Sequence, residues 1–145
     1  MPRLIDLIDV ATVPMAITLG MVEEHRAEGH VIYSMEALPA YHNPLGTVHG
    51  GIYSDLADMA MGIAMLTTLA DGEAMTTIEL KINYFRPVIT GRMVAEARVI
   101  HRGRTSGFIE CDVRDGQGRL VAKSSSTCVL LTGDRAAPIF ARYES

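Results

Sequence analysis

Residues 52–70 read Ile-Tyr-Ser-Asp-Leu-Ala-Asp-Met-Ala-Met-Gly-Ile-Ala-Met-Leu-Thr-Thr-Leu-Ala, and this stretch decides the fold. Ile52, Leu56, Met59, Ile63, Leu66 and Ala70 recur at alternating spacings of four and three, the apolar stripe of an α-helix. Tyr53, Ala57, Ala60, Ala64 and Thr67 flank that stripe, so nearly the whole circumference is apolar or small. A helix of this kind is wrapped by other structure and does not lie on a surface.

Working outward, the period changes to two after Asp71-Gly72. Ile78, Leu80, Ile82 and Tyr84 alternate with Thr77, Glu79, Lys81 and Asn83, a strand that Pro87 ends. Met93–His101 and Phe108–Arg114 read as two more strands, and Asp115-Gly116-Gln117-Gly118 supplies turn chemistry into a fourth at Arg119–Thr132. Upstream, Ala16–Glu23 and His30–Ala37 are strand-like, with the polar stretch Glu24–Gly29 as their connection. Leu4, Ile5, Leu7 and Ile8 suffice for a short packing helix that Pro14 ends or follows. One long apolar helix against one antiparallel sheet of about six strands is an α+β two-layer domain. The expected layout is a single domain over 1–145: an N-terminal helix in 1–12, a core over 13–132, and a tail over 133–145 without readable pattern.

Composition narrows the function classes. The chain of 145 residues is 48% hydrophobic and 21% charged, a globular balance, and its net charge of −4 offers no broad basic surface to a nucleic-acid backbone. Cys111 and Cys128 form no CxxC pair, which argues against a zinc site or a disulfide scaffold. Asp55 and Asp58 interrupt the longest apolar run, and Asp6 and Asp9 interrupt the N-terminal one, so neither a membrane span nor a signal peptide is expected. The expectation is a cytoplasmic protein.

The chemistry concentrates in Asn43-Pro44-Leu45-Gly46-Thr47-Val48-His49-Gly50-Gly51 and in the two aspartates that follow. Two glycines at a helix start let another group approach the backbone and leave the first N–H groups free for a developing oxyanion. Asp55 lies near the helix start, where the dipole alone accounts for a carboxylate. Asp58 lies beyond the reach of that effect, so it either faces a polar cavity or has a hydrogen-bonding partner in the core. Gly50 and Asp58 are eight positions apart, about 12 Å along one helix. A carboxylate and an oxyanion donor that serve one carbonyl must both lie within roughly 3–3.5 Å of it. Two copies of the helix running antiparallel across a two-fold axis meet that condition, so a site of this kind predicts a dimer.

The pattern N-x-x-G-x-x-H-G-G followed by Leu-Ala-Asp, carried by Asn43, Gly46, His49, Gly50, Gly51 and Asp58, strongly resembles the hotdog-fold acyl-CoA thioesterases, in particular the phenylacetic-acid-pathway (PaaI-like) group. The resemblance runs from about residue 13 to residue 132 and includes Gly118-Arg119-Leu120-Val121-Ala122. It implies that Asp58 is the catalytic carboxylate, as nucleophile or as the base for water, and that the Gly50 amide polarises the carbonyl. It also implies that Asn43 and His49 orient the thioester or the water and that Thr77 helps to hold the reacting group. Tyr84, Phe85, Arg86 and Pro87, with Arg102, Gly103, Arg104 and Thr105 in the second segment, are implied to line the coenzyme A groove. No metal or cofactor is implied, coenzyme A being part of the substrate. The implied partners are an acyl-CoA or related thioester and further copies of the chain, as a dimer or dimer of dimers, with neither nucleic acid nor membrane. A thioester suits such a site, because its thiolate leaves readily and one carboxylate with one oxyanion donor can suffice. Two rivals stay open on the same fold: a hydratase or dehydratase of acyl thioesters, and a module that binds acyl-CoA without cleaving it.

Overall fold

The 4-and-3 stripe folds as one helix in the computed structural model, which describes residues 1–144. Its bounds are Gly50–Leu66, here α3; it follows three shorter pieces, α1 (Leu4–Leu7), a 3-10 turn at Val10–Thr12, and α2 (Pro14–Leu19). Six strands complete the architecture: β1 (Val22–Ala27), β2 (His30–Ala37), β3 (Ala74–Tyr84), β4 (Gly91–Arg102), β5 (Ser106–Asp115) and β6 (Leu120–Leu131). They form one antiparallel sheet in the order β1-β2-β4-β5-β6-β3, wrapped around α3. This is the hotdog arrangement.

The downstream strands fall where the period of two places them, and the N-terminal third does not. Residues 16–19, expected in a strand, are helical in α2. Pro14 opens that helix at a position where its missing N–H costs nothing, and Gly20 closes it at φ 66°. Pro14 therefore starts a helix and does not end the one before it, which is a single turn. Residues 24–27, expected in the connection, belong to β1, and only Glu28-Gly29 remain as the hairpin turn.

Packing explains why α3 is apolar on most sides. Leu56, Ala57, Ala60, Met61 and Ala64 are fully buried against Val31 and Tyr33 of β2, Met93, Ala95 and Ala97 of β4, and Ile109, Cys111 and Val113 of β5. Each large side chain sealed in this way contributes roughly 1.5–3 kcal/mol. Alanines on both surfaces let helix and sheet approach closely. The approach is tightest at Gly107 on β5, where a Cβ atom would strike the Met65 methyl and lie 3.1 Å from Cys128 Sγ. The sheet does not close completely around the helix. Gly51, Asp55 and Asp58 are exposed along one strip, and Ile52 and Met59, expected in the core stripe, are only half-buried beside it. A single curved sheet covers most of a helix's circumference and leaves a strip for something else.

The C-terminal end of α3 is thoroughly finished. Arg3 donates to Thr67 O at 2.7 Å and Leu69 O at 3.3 Å, while the Thr67 and Thr68 hydroxyls donate to Ala64 O and Met65 O. Residues 133–140, which carry no periodicity, pack onto the core: Ala136 and, in a last short helix, α4 (Ala137–Phe140), Phe140 are buried, and Ile139 is partly buried beside them. Strand β3 is an edge eleven residues long that pairs only with β6. Its Ile78 is 65% exposed. Among the described residues no helix is long and apolar enough to cross a membrane.

Candidate active site

The loop before α3 is built by its own side chains. Asn43 Oδ1 accepts from the Leu45 and Thr47 N–H groups, and its Nδ2 donates to Thr47 Oγ1 at 3.1 Å. Gly46 takes φ 79°, a turn conformation that costs a side-chain-bearing residue free energy. His49 is the N-cap of α3, and its Nδ1 accepts from the Gly51 N–H at 2.9 Å. Because a backbone N–H can only donate, the neutral ring carries its proton on Nε2. The Ile52 N–H donates to His49 O. Among the described residues the Gly50 N–H has no acceptor, so one helix-terminal donor stays free with the α3 dipole behind it.

Two tyrosines hold the end of β3 against this helix start. Tyr84 donates its hydroxyl to Gly50 O at 2.9 Å, and a Cβ on residue 50 would sit 2.9 Å from that same oxygen. The residue must be glycine for the tyrosine to come this close. Tyr53, which sequence reasoning passed over as a flank of the stripe, is buried and meets Tyr84 edge-on at 5.4 Å. Its hydroxyl accepts from the Val88 N–H at 3.0 Å and donates to Arg86 O, pinning the segment after β3. Asn43, Gly50 and the Tyr84–Pro87 segment thus line one hollow of about 400 Å³.

Asp58 lines a different hollow, of about 320 Å³, together with Asp55 and Thr77. The two hollows share no lining residue. Asp58 has no hydrogen bond or ion pair among the described residues, and it faces the open strip and not the sealed core. Burial among apolar neighbours, reinforced by the Asp55 charge, raises its carboxyl above the ordinary carboxylate range. The dipole alone does not account for Asp55: it lies beyond the first turn of α3, and desolvation raises its carboxyl above the ordinary carboxylate range.

Strand register locates the second groove segment. Thr77 pairs with Cys128, Cys128 with Gly107, and Gly107 with Arg102, so these four lie in one row across the sheet. Gly103, Arg104 and Thr105 turn just beyond that row, closed by Gly103 N–H donating to Ser106 O. Tyr84 lies seven residues further along β3, about 23 Å away. The structure therefore does not bring Arg102–Thr105 and Tyr84–Pro87 together within one chain. Arg102 is engaged by Glu73 and by Gly103 O. Arg86 and Arg104 are exposed and form no ion pair among the described residues.

Fold and site together define a hotdog protein whose helix start presents a free amide and whose carboxylate sits on the same helix's open strip. A model of the thioesterase superfamily matches residues 45–122. The chain belongs to that superfamily, a family of thioester hydrolases, and within it is PaaI-like. A putative esterase of Saccharolobus solfataricus is 35% identical over 86 residues, 59% of this chain and 61% of that protein. Human acyl-coenzyme A thioesterase 13 is 31% identical over 103 residues, 70% of this chain and 73% of that one. The Escherichia coli PaaI protein of the phenylacetic acid degradation operon superposes with a TM-score of 0.80 at 25% identity, over 86% of this chain and 88% of that one.

Proposed function

We propose that the protein hydrolyses acyl-CoA thioesters at two equivalent sites, each assembled from two copies of the chain. One observation carries this reading. Within a chain the site residues divide into Asn43, Gly50 and Tyr84–Pro87 in one hollow and Asp58 and Thr77 in another, with the Arg102–Thr105 turn next to the Thr77 row. The long edge β3 offers its unpaired groups to another strand. Antiparallel pairing of two β3 strands about their middle sets the Tyr84 end of one copy beside the Ala74–Thr77 end of the other. The free Gly50 amide then faces Asp58 of the second copy, and the two groove segments become neighbours.

In such a site the Gly50 N–H donates to the thioester carbonyl oxygen, and the α3 dipole favours the negative charge that develops there. Asp58 attacks the carbonyl carbon, or takes a proton from the water that does. The C–S bond breaks, and the coenzyme A thiolate leaves and is protonated; where Asp58 is the nucleophile, water then cleaves the acyl–Asp58 anhydride, and by either route the acyl group departs as a carboxylate. Asn43 and His49 Nε2 orient the carbonyl or the water. Arg86 and Arg104 meet the phosphates, a role for which Arg102, held by Glu73, is less free. The human relative's name supports coenzyme A as the carrier.

Two measurements test this reading. Saturated acyl-CoAs should release free thiol; no thiol across a broad panel would favour a hydratase or a binding module. Asp58→Asn and Gly50→Pro should each lower turnover by about 10²-fold or more. Coexpressed in equal amounts they should restore about a quarter of wild-type activity, because a mixed dimer holds one intact shared site. A site confined to one chain would give no recovery.

A further inference from the structure

Asp55 belongs neither to the motif around His49-Gly50-Gly51 nor to the reaction steps above, yet it occupies the same hollow as Asp58. The two are three residues apart on α3 and therefore neighbours on one helix face. Around them the walls are Met15, Met21, Met59 and Met75 with Ile63 and Leu66, drawn from α2, the residue before β1, α3 and β3. Among the described residues Thr77 is the only other polar side chain of the lining, and no Lys, Arg or His contributes to it. Asp55 has no ion-pair or hydrogen-bond partner among the described residues, and it is exposed at the rim. Four methionines make an apolar wall that adapts its shape to varied chains. Shape selection by such a wall is loose, so charge is left as the sharper criterion.

We infer that Asp55 sets the charge selectivity of the acyl subsite: the methionine-walled hollow accepts a neutral apolar acyl group and rejects one that carries a carboxylate. This rests on the hydrolase reading, since it takes the hollow beside Asp58 as the place of the acyl chain. From the lining that one chain supplies, an acyl carboxylate entering the hollow meets two acids and no cation. Repulsion between like charges a few ångströms apart at a protein surface corresponds to a discrimination on the order of tenfold to a hundredfold. Asp55 is a specificity-determining residue in this account, and it takes no part in bond making.

The test compares hexanoyl-CoA with adipoyl-CoA, which have the same carbon count and differ by a terminal carboxylate. Wild type should favour hexanoyl-CoA in kcat/KM by on the order of tenfold to a hundredfold. Asp55→Asn should reduce that ratio about tenfold, chiefly through a lower KM for adipoyl-CoA. Any effect of the substitution on Asp58 is common to both substrates and cancels in the ratio. The same comparison by titration calorimetry, with the non-hydrolysable thioether analogues of the two substrates, reads the selectivity without turnover. A wild type that releases no thiol but binds the hexanoyl analogue with the expected preference sinks the hydrolase reading and keeps the selectivity. Equal preference in wild type, or a ratio unchanged by Asp55→Asn in both experiments, overturns the inference.

Discussion

The two ends of α3 are finished in opposite ways. At the C-terminal end a guanidinium and two hydroxyls reach the terminal carbonyls, and Thr67 Oγ1 also accepts from the Gly29 N–H. At the N-terminal end His49 satisfies Gly51, while the Gly50 N–H is left without an acceptor in a hollow braced by two tyrosines. A helix end that serves only stability is closed with whatever side chains can reach it. An end that serves a reaction keeps one donor vacant and spends its side chains on holding that donor still. On the proposed function, the C-terminal end serves stability and the N-terminal end serves turnover.

The sharpest way to break this contrast is Gly50→Pro. Proline is tolerated at the first helical position and His49 already has the extended backbone that precedes a proline, so the change deletes the vacant N–H and adds a Cβ that crowds the Tyr84 hydroxyl. We expect kcat to fall about 10²- to 10³-fold with little change in melting temperature. A Tyr84→Phe background, which removes the oxygen nearest the new Cβ, controls for crowding. A drop in stability without a drop in kcat would erase the distinction between the ends. The converse substitution, Arg3→Ala, should cost about 1.5 kcal/mol in denaturant unfolding and leave kcat nearly unchanged.

Tyr53→Phe lies between these extremes. It leaves the Val88 N–H without its partner and loosens the segment after β3, so both stability, by about 1 kcal/mol, and KM should suffer while kcat holds. The smallest effect is expected from Asp55→Asn followed by melting at several pH values. A carboxyl whose folded pKa is raised is better tolerated once protonated, so wild-type stability gains as the pH falls through the raised value and the gain is complete below the ordinary value of 3.8. The variant should therefore melt slightly higher than wild type at neutral pH and lose that advantage in acid. An advantage that persists in acid would remove the carboxylate charge as its cause.

Much of the fold was legible because periodicity reports burial directly. The spacing of Ile52, Leu56, Met59, Ile63 and Leu66 announced α3, and the alternation from Ile78 to Tyr84 announced β3. Residues 16–19 misled because Ile17 and Thr18 suit a strand, although Pro14 and Gly20 carried the opposite signal at the helix bounds. In the site, the wide separation of Gly50 and Asp58 could be counted along one helix. The row through Thr77, Cys128, Gly107 and Arg102 could not, because register across four strands is set by pairing that no single strand encodes. Asp55 was misjudged for a related reason. Its place in the sequence suggested the helix terminus; the spacing of three sets it beside Asp58, but the methionine-walled hollow that the two share is visible only in three dimensions.

The missing side chain at Gly107 has a consequence well away from the place where it occurs. With no Cβ on that residue, the last turns of α3 settle onto β5 at a separation fixed by backbone and by the Met65 sulfur, 3.0 Å from where a Cβ would stand. Any larger residue there would have to push the Met65 side chain aside, about two turns along the helix from Asp58. The room left by a missing side chain on the sheet is thus taken up by a thioether from the helix that carries Asp58.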